Sequence, residues 1–483
     1  MKGLLRRGRI AACLAGIALA LMPVPALADN AAPPLVFANG NGLTVVPGSV
    51  HQLDARLWSL SFTTSALPQP TNLRILMPSG YTRGTRYPVL WLFSGAGGGA
   101  ADWTTNGGAE AATAGLRLIV VMPDTTLNGE FNGFCNDWVS GMRHWETYQL
   151  AQLLPWTDAN LPTIPNRAAR AIAGASGGGL CATSIAARHP DLFASTTSFS
   201  GMDDIYDNPQ TRLLTYAIVS EFAVQDGYSG DGIYGNVLTD GIGWAAYDPT
   251  TLAANLRNTA VHLYTGSGLP GGPLDPPLTS TVSGLGSPAA GGLGSIGGLL
   301  PVFEAVPAEQ TELFHQRLDQ LGIASTYVPY GAGSHTWPYF ARDLVWALPG
   351  IMSDVSNPAP APTSITYTSA DTQYSVYGWN VAMNRSVQEF STLLQATDRG
   401  FAVSGSGSAL VTTPPHFVHG ARYAVTILTQ GSVFPTTFQV TADPSGRLQI
   451  NVPLGPSNSN QGDTAAALLL SQTYQSSVTI TRS

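Results

Sequence analysis

The sequence predicts an α/β domain built on an eight-stranded, mostly parallel sheet, followed by a small all-β domain of sandwich type. Three observations carry that prediction. Up to residue 353, short and almost wholly apolar runs alternate with longer helical stretches. From Asp354 to Thr366 the chain reads Asp-Val-Ser-Asn-Pro-Ala-Pro-Ala-Pro-Thr-Ser-Ile-Thr, a stiff linker composition. Beyond it the texture changes to Thr/Val/Tyr-rich alternation, as in Tyr423-Ala-Val-Thr-Ile-Leu and Thr437-Phe-Gln-Val-Thr, broken by Gly, Pro and Asn. The expected organisation is a leader over 1–28, an α/β domain over 29–353, a linker over 354–366 and a β domain over 367–483.

Taken in order, the first strands fall at 56–62 and 72–77. No long helix separates them, so they are expected to pair antiparallel. Runs at 88–93, 116–122, 168–175, 195–200, 261–265 and 325–330 follow, several of them apolar on both faces, as strands covered from both sides must be. Helical stretches at 145–160 and 309–321 provide crossovers of the kind parallel strands require.

The chain opens with Met1-Lys2 and Arg6, Arg7 and Arg9, then an apolar run over 10–22 and the small residues of Ala26-Leu27-Ala28. A basic start, a short apolar core and an A-x-A site read as a secretory signal peptide, which implies a secreted or envelope location. The run is too short to span a bilayer, which takes about 20 residues. The mature chain is expected to begin at Asp29 or Asn30. Of 22 basic residues against 30 acidic ones, four lie in this leader, leaving 18 and a formal charge near −12. A chain this acidic is a poor candidate for nucleic-acid binding. Cys135 and Cys181 remain after cleavage, too far apart for a zinc cluster. Export permits a disulfide, but the place of Cys181 at the apolar start of a helix favours a buried thiol.

The fifth strand runs directly into Gly174-Ala175-Ser176-Gly177-Gly178, and the following Gly179-Leu-Cys-Ala-Thr-Ser-Ile-Ala-Ala-Arg188 is a helix former stopped by His189-Pro190. G-x-S-x-G between strand and helix is the nucleophile turn of the α/β-hydrolase fold, where small neighbours let the backbone expose Oγ. A serine hydroxyl is a weak nucleophile, so it needs a base, and the base needs an orienting carboxylate. Gly331-Ala-Gly-Ser-His335-Thr-Trp-Pro-Tyr follows the eighth strand, the position from which a base folds back over the turn. His189 at a helix end, His262 within a strand, and His416 and His419 in the second domain fit worse. The acid is expected after the seventh strand, where Asp275, Glu304, Glu309 and Glu312 lie, and position alone leaves Asp275 and Glu304 nearly even. The oxyanion donors are expected to be the backbone N–H groups of Gly177 and of Ala96, in the loop Ser94-Gly-Ala-Gly-Gly-Gly99.

These residues resemble the antigen 85 mycolyltransferases and the wider esterase D group of α/β-hydrolases. The likeness covers most of 53–348. It includes Phe134-Cys-Asn-Asp-Trp138, Trp145-Glu-Thr-Tyr, Leu153-Leu-Pro-Trp156, Trp244, Asp248-Pro249, Leu263-Tyr-Thr-Gly-Ser-Gly and Ser334-His335-Thr-Trp-Pro-Tyr339. The resemblance implies a glutamate as the acid and, by alignment of Leu300-Pro-Val-Phe-Glu304, places it on Glu304. It implies the same oxyanion donor at Ala96. Trp337, beside the base, is implied as an apolar or sugar-stacking wall. Family members that bind trehalose carry an acidic and a basic residue in the oxyanion loop, where this chain has Ser94 and Gly97. An insertion at roughly 271–298 and the β domain depart from the basic family unit.

The expected function is therefore acyl transfer from lipid esters through an acyl-enzyme on Ser176, without metal or organic cofactor, in the manner of a mycolyltransferase. The implied partners are an acyl ester and a glycolipid or sugar acceptor at the cell envelope. A carboxylesterase or polymer-ester hydrolase with a C-terminal binding module is the alternative. A noncatalytic envelope-binding protein is the alternative of another class.

Overall fold

The computed structural model describes residues 35–275 and 300–483, apart from Arg83, Asn128, Asn132, Gly133, Gly462 and Asp463. The leader expected over 1–28 and nearly all of the insertion at 271–298 lie outside the described residues. All eight anticipated strands form: β3 (Leu57–Thr63), β4 (Thr71–Leu76), β5 (Val89–Phe93), β6 (Ile119–Pro123), β7 (Arg170–Ala175), β8 (Ser195–Phe199), β9 (Ala260–Thr265) and β10 (Ser325–Pro329). Two short strands, β1 (Thr44–Val45) and β2 (His51–Gln52), pair antiparallel with β3 and extend the sheet to ten strands among the described residues. The order is β1-β3-β4-β6-β5-β7-β8-β9-β10. β4 runs antiparallel to both β3 and β6, and the pairings from β6 through β10 are parallel.

Every residue of β5, β6, β7 and β8 is buried, because helices cover both faces. The principal helices are α1 (Leu154–Asn160), α2 (Gly177–Arg188), α3 (Pro209–Gln225), α4 (Leu300–Gln320) and α5 (Trp337–Ser356). The helical stretch anticipated at 145–160 divides: Thr147–Leu153 winds as a π-helix before α1. The stretch anticipated at 309–321 starts earlier, at Leu300, which puts Glu304 inside a helix. Strand register aligns Phe93, Gly174, Ser198, Leu263 and Tyr327 in one row across the sheet. The loops that follow this row all leave the same carboxyl edge, the usual place for a site in a parallel sheet.

Residues 365–482 form a six-stranded and a four-stranded antiparallel sheet around their own apolar core, with Val376, Leu393, Val403, Val411, Val425, Ile450 and Val452 at its centre. The junction with the α/β part is polar and specific. Arg188, at the end of α2, is buried and pairs with Glu146 at 3.1 Å and Asp371 at 3.0 Å. It lies over the Tyr247 ring, and its carbonyl accepts the Tyr367 hydroxyl. Asn255 exchanges two hydrogen bonds with the Thr368 backbone. Burial alone would raise the Glu146 pKa, but Arg188 and His189 outweigh it and hold it at about 2.

The expectation of a buried thiol at Cys181 is corrected: Cys135 and Cys181 form a disulfide with Cα atoms 5.4 Å apart. Both ends are buried in the main core, so burial, the argument for a thiol, holds equally for the bridge. Pairing depends on where the chain folds the 134–138 segment against α2, which spacing does not encode.

Two outcomes follow from these features. Closing a loop across 46 residues is worth about 3–4 kcal/mol in chain entropy. Reduction, or Cys135→Ser with Cys181→Ser, is therefore expected to lower the thermal midpoint by several degrees, measured with and without reductant. Glu146→Gln leaves the buried Arg188 charge with Asp371 alone and is expected to cost about 3 kcal/mol at neutral pH. Because the Glu146 group is depressed in the folded state, that contribution is complete above its unfolded value of 4.5 and is lost as pH falls toward 2. Urea unfolding of both proteins across that range checks the convergence.

Candidate functional site

The site begins with a backbone constraint. Ser176 sits between β7 and α2 at φ 57° and ψ −124°, a conformation costly for any residue with a side chain. Its N–H donates to the Phe199 carbonyl, and its own carbonyl accepts from Gly179 and Leu180. All twelve residues of α2 are buried, and three glycines open it, although each costs about 1 kcal/mol of helix propensity relative to alanine. Packing explains Gly178 and Gly179. A Cβ on Gly178 would lie 2.5 Å from the Ser94 carbonyl oxygen and 2.6 Å from that of Phe93, and one on Gly174 would collide with the Gly178 carbonyl. One on Gly179 would meet Ser198 Oγ at 2.7 Å. The helix start is therefore pressed directly against the ends of β5 and β8.

That approach brings the loop after β5 onto the nucleophile turn. A Cβ on Gly95 would lie 2.9 Å from the Ser176 Cβ, so the loop borders Ser176 at the residue before Ala96. The loop turns at Gly97, where φ is +73°. It is held from below: Ser94 Oγ donates to the Gly99 carbonyl, Thr126 Oγ1 donates to that of Gly98, and Asp124 and Asp102 accept from the Ala100 and Gly99 N–H groups. Burial pushes both carboxyls above the ordinary aspartate range. Gly177 is the first residue of α2, so its N–H has no intrahelical partner and stands at the positive end of the helix dipole.

His335 and Glu304 meet in the interior. His335 Nδ1 lies 2.6 Å from Glu304 Oε2, both residues are buried, and His335 Nε2 is buried with no hydrogen-bond partner. The imidazole packs between the rings of Phe303 and Phe340. Glu304 Oε1 accepts from Ser200 Oγ at 2.6 Å, Gly266 N–H at 2.7 Å and Thr265 Oγ1 at 3.3 Å. Charge-assisted hydrogen bonds of this kind keep a buried carboxylate in place. Ser200, Thr265 and Gly266 were not legible as site residues. The sequence signals are that Ser200 follows directly on β8, and that Thr265 and Gly266 stand at the end of β9 within the Leu263-Tyr-Thr-Gly-Ser-Gly stretch.

Asp275, the competing carboxylate, is elsewhere. It accepts from the N–H groups of Gly271, Gly272 and Ser334, so it braces the loop carrying His335 without touching the imidazole. Burial would raise its pKa, but these hydrogen bonds leave it below the ordinary aspartate value. Glu309 and Glu312 lie further along α4. Trp337 opens α5, half-buried, with its ring edge-on to Trp103 at 5.3 Å and to Phe340 at 5.7 Å. Asp203, also missed from sequence, is buried and accepts from Thr183 on α2, Ser198 on β8 and Thr311 on α4, which ties the Ser176 helix to the Glu304 helix. Among the described residues no group of three His, Cys, Asp or Glu side chains could hold a metal ion, and no helix is long and apolar enough to cross a membrane.

The packing argument makes a stability prediction. Gly178→Ala is expected to cost more than about 2 kcal/mol, since only a backbone shift can relieve the overlap. Gly115→Ala, where a Cβ meets nothing within 4 Å, is expected to be neutral. Urea-unfolding midpoints of the two variants check this.

Comparison with known proteins adds the family. The chain is 36% identical over 233 residues to the esterase Rv1288 of Mycobacterium tuberculosis, which covers 48% of this chain and 50% of that protein. It is 29% identical over 218 residues to the diacylglycerol acyltransferase/mycolyltransferase Ag85A of Mycobacterium leprae, covering 42% of this chain and 62% of the relative. The match thus spans about half the length of the first of these relatives. The crystal structure of Mycobacterium tuberculosis MPT51 is 22% identical, covers 61% of this chain and 96% of that one, and superposes with a TM-score of 0.47. The esterase family model matches residues 64–351, more than half of the chain, and the chain belongs to that family.

Proposed function

We propose that this chain is an exported serine enzyme that moves acyl groups from lipid esters, through an acyl-enzyme on Ser176, to an alcohol or to water. The buried His335–Glu304 pair carries the reading, because its unpartnered Nε2 stands at the same sheet edge as the strained Ser176 turn. A histidine with one nitrogen bonded to a carboxylate and the other left free is arranged to take a proton.

In the proposed reaction Ser176 Oγ attacks the ester carbonyl carbon as its proton passes to His335 Nε2. Glu304 accepts from Nδ1–H and stabilises the imidazolium. The Gly177 and Ala96 N–H groups hold the oxyanion, and losing one such donor typically costs about 3–4 kcal/mol in the barrier. Collapse of the tetrahedral intermediate breaks the bond to the leaving alcohol, which takes the proton from His335. A second alcohol or water then attacks the acyl-enzyme by the same steps in reverse. Trp337 supplies an apolar or sugar-stacking wall beside the base. Membership in the esterase family supports the ester substrate, and the Ag85A relative supports an acyl acceptor other than water. The leader read over 1–28 supports export.

The test is turnover of a medium-chain acyl ester by the mature protein, with and without trehalose, and product masses as readout. Ser176-dependent release of free acid is expected, together with an acyl ester of the added alcohol if an acceptor is held beside His335. Ser176→Ala is expected to lower turnover by about six orders of magnitude. No Ser176-dependent product across a small panel of esters would overturn the catalytic reading in favour of a binding protein.

A further inference from the structure

We propose that Ser200 is a positioning residue for the reaction: its hydroxyl fixes which oxygen of Glu304 faces the His335 imidazole, and its backbone turn ties that carboxylate to the Ser176 turn. This rests on the reading of Ser176, His335 and Glu304 given above.

Ser200 follows directly on β8 and is fully buried. Its φ is +48°, so it shares with Ser176 a positive φ that residues with a side chain rarely adopt. Hydrogen bonds hold this turn on both sides. The Phe199 carbonyl accepts the Ser176 N–H at 2.9 Å, and the Ser200 N–H donates to the Tyr264 carbonyl at 2.8 Å. Gly201 then lies against α2, since a Cβ on it would stand 3.0 Å from the Gly179 carbonyl carbon. The Gly201 carbonyl accepts from Thr311 Oγ1 on α4 at 3.3 Å. The corner 199–201 thus touches the nucleophile turn, the neighbouring strand and the helix that carries Glu304. Glycine would take such a turn without strain, so the backbone alone gives no reason for a side chain at this position.

The hydroxyl gives one. Ser200 Oγ donates to Glu304 Oε1 at 2.6 Å, and the Gly266 N–H donates to the same oxygen at 2.7 Å. Thr265 Oγ1 is further off at 3.3 Å and has a second acceptor in the Gly266 carbonyl at 3.2 Å. Two short donors occupy the lone pairs of Oε1 and leave Oε2 to His335 Nδ1 at 2.6 Å. The terminal torsion of a glutamate is broad and roughly two-fold, so these donors, and not the rotamer, set the plane of the carboxylate. Gly266 donates from the main chain, which makes Ser200 the side chain that holds Oε1 at short range. Without its hydroxyl the carboxylate is free to turn about the Gly266 contact, and Nδ1 loses a fixed acceptor. The imidazole then no longer presents Nε2 in one orientation, and the loss falls on the chemical step instead of on substrate binding.

The experiment compares Ser200→Ala and Ser200→Gly with the wild type in the mature full-length chain. It reads kcat and KM for a medium-chain acyl ester, and urea-unfolding midpoints. Ser200→Ala is expected to lower kcat about 10- to 100-fold with KM unchanged. Ser200→Gly is expected to unfold at higher urea than Ser200→Ala, because glycine takes the positive φ without strain, and yet to turn over as slowly. A purely structural role would make turnover follow the midpoints, so that the glycine variant outpaces the alanine one. That result, a Ser200→Ala kcat close to the wild-type value, or a loss confined to KM overturns the inference. A wild type without Ser176-dependent turnover instead brings down the reading of Ser176 itself, and this inference with it.

Discussion

The close approach of α2 to the ends of β5 and β8 is the constraint on which the site depends. Backbone lies against backbone there, with Gly178 on the Phe93 and Ser94 carbonyls and Gly179 on Ser198 and Gly201. No side chain fits between them, so the helix start is pinned in depth, and the turn before it must absorb the geometric mismatch. Ser176 absorbs it by taking a positive φ. The same contact sets the loop Ser94–Gly99 beside Ser176, so nucleophile turn and oxyanion loop are positioned by one packing event. Propensity runs against three consecutive glycines in a helix, and tertiary packing overrides it.

Electrostatics then separates the buried carboxyls by the donors each one finds. Glu304 has three hydrogen-bond donors on one oxygen and an imidazole on the other. Asp343 has a donor set on one oxygen and none on the other, and burial raises it to about 6. Asp203 receives hydroxyls from three different elements, yet burial still raises it above the ordinary range. Burial thus raises both aspartates, and the differences between the carboxyl sites lie in the donors each one finds. The partners come from strands and loops far apart in sequence, so the differences arise only when the sheet assembles.

The C-terminal β region is joined to this core by more than a linker. Arg188 ends the helix that Ser176 begins, and Asp371 of the β region completes its ion-pair set. The cost of burying that guanidinium is offset by two carboxylates and a tyrosine face. The far end of the nucleophile helix is therefore held in part by Asp371, which lies beyond the residues that the esterase family model matches.

Periodicity and punctuation were enough to read the layered α/β arrangement, the eight strands, the antiparallel start and the β-rich C-terminal region. Short doubly buried strands are apolar throughout, and strand-to-helix turns need small residues. G-x-S-x-G at such a turn likewise marked Ser176, and a histidine after the last strand marked His335. Pattern left Asp275 and Glu304 level, because both are acidic residues after the same strand. The family resemblance favoured Glu304, and the folded chain keeps the two apart, since α4 carries Glu304 against the imidazole while Asp275 turns to the Ser334 N–H. The Cys135–Cys181 bridge and the donors on Glu304 belong to the same class. Each is a relation between residues brought together by sheet order and helix packing, and local sequence determines what a segment becomes but not which distant segment it meets.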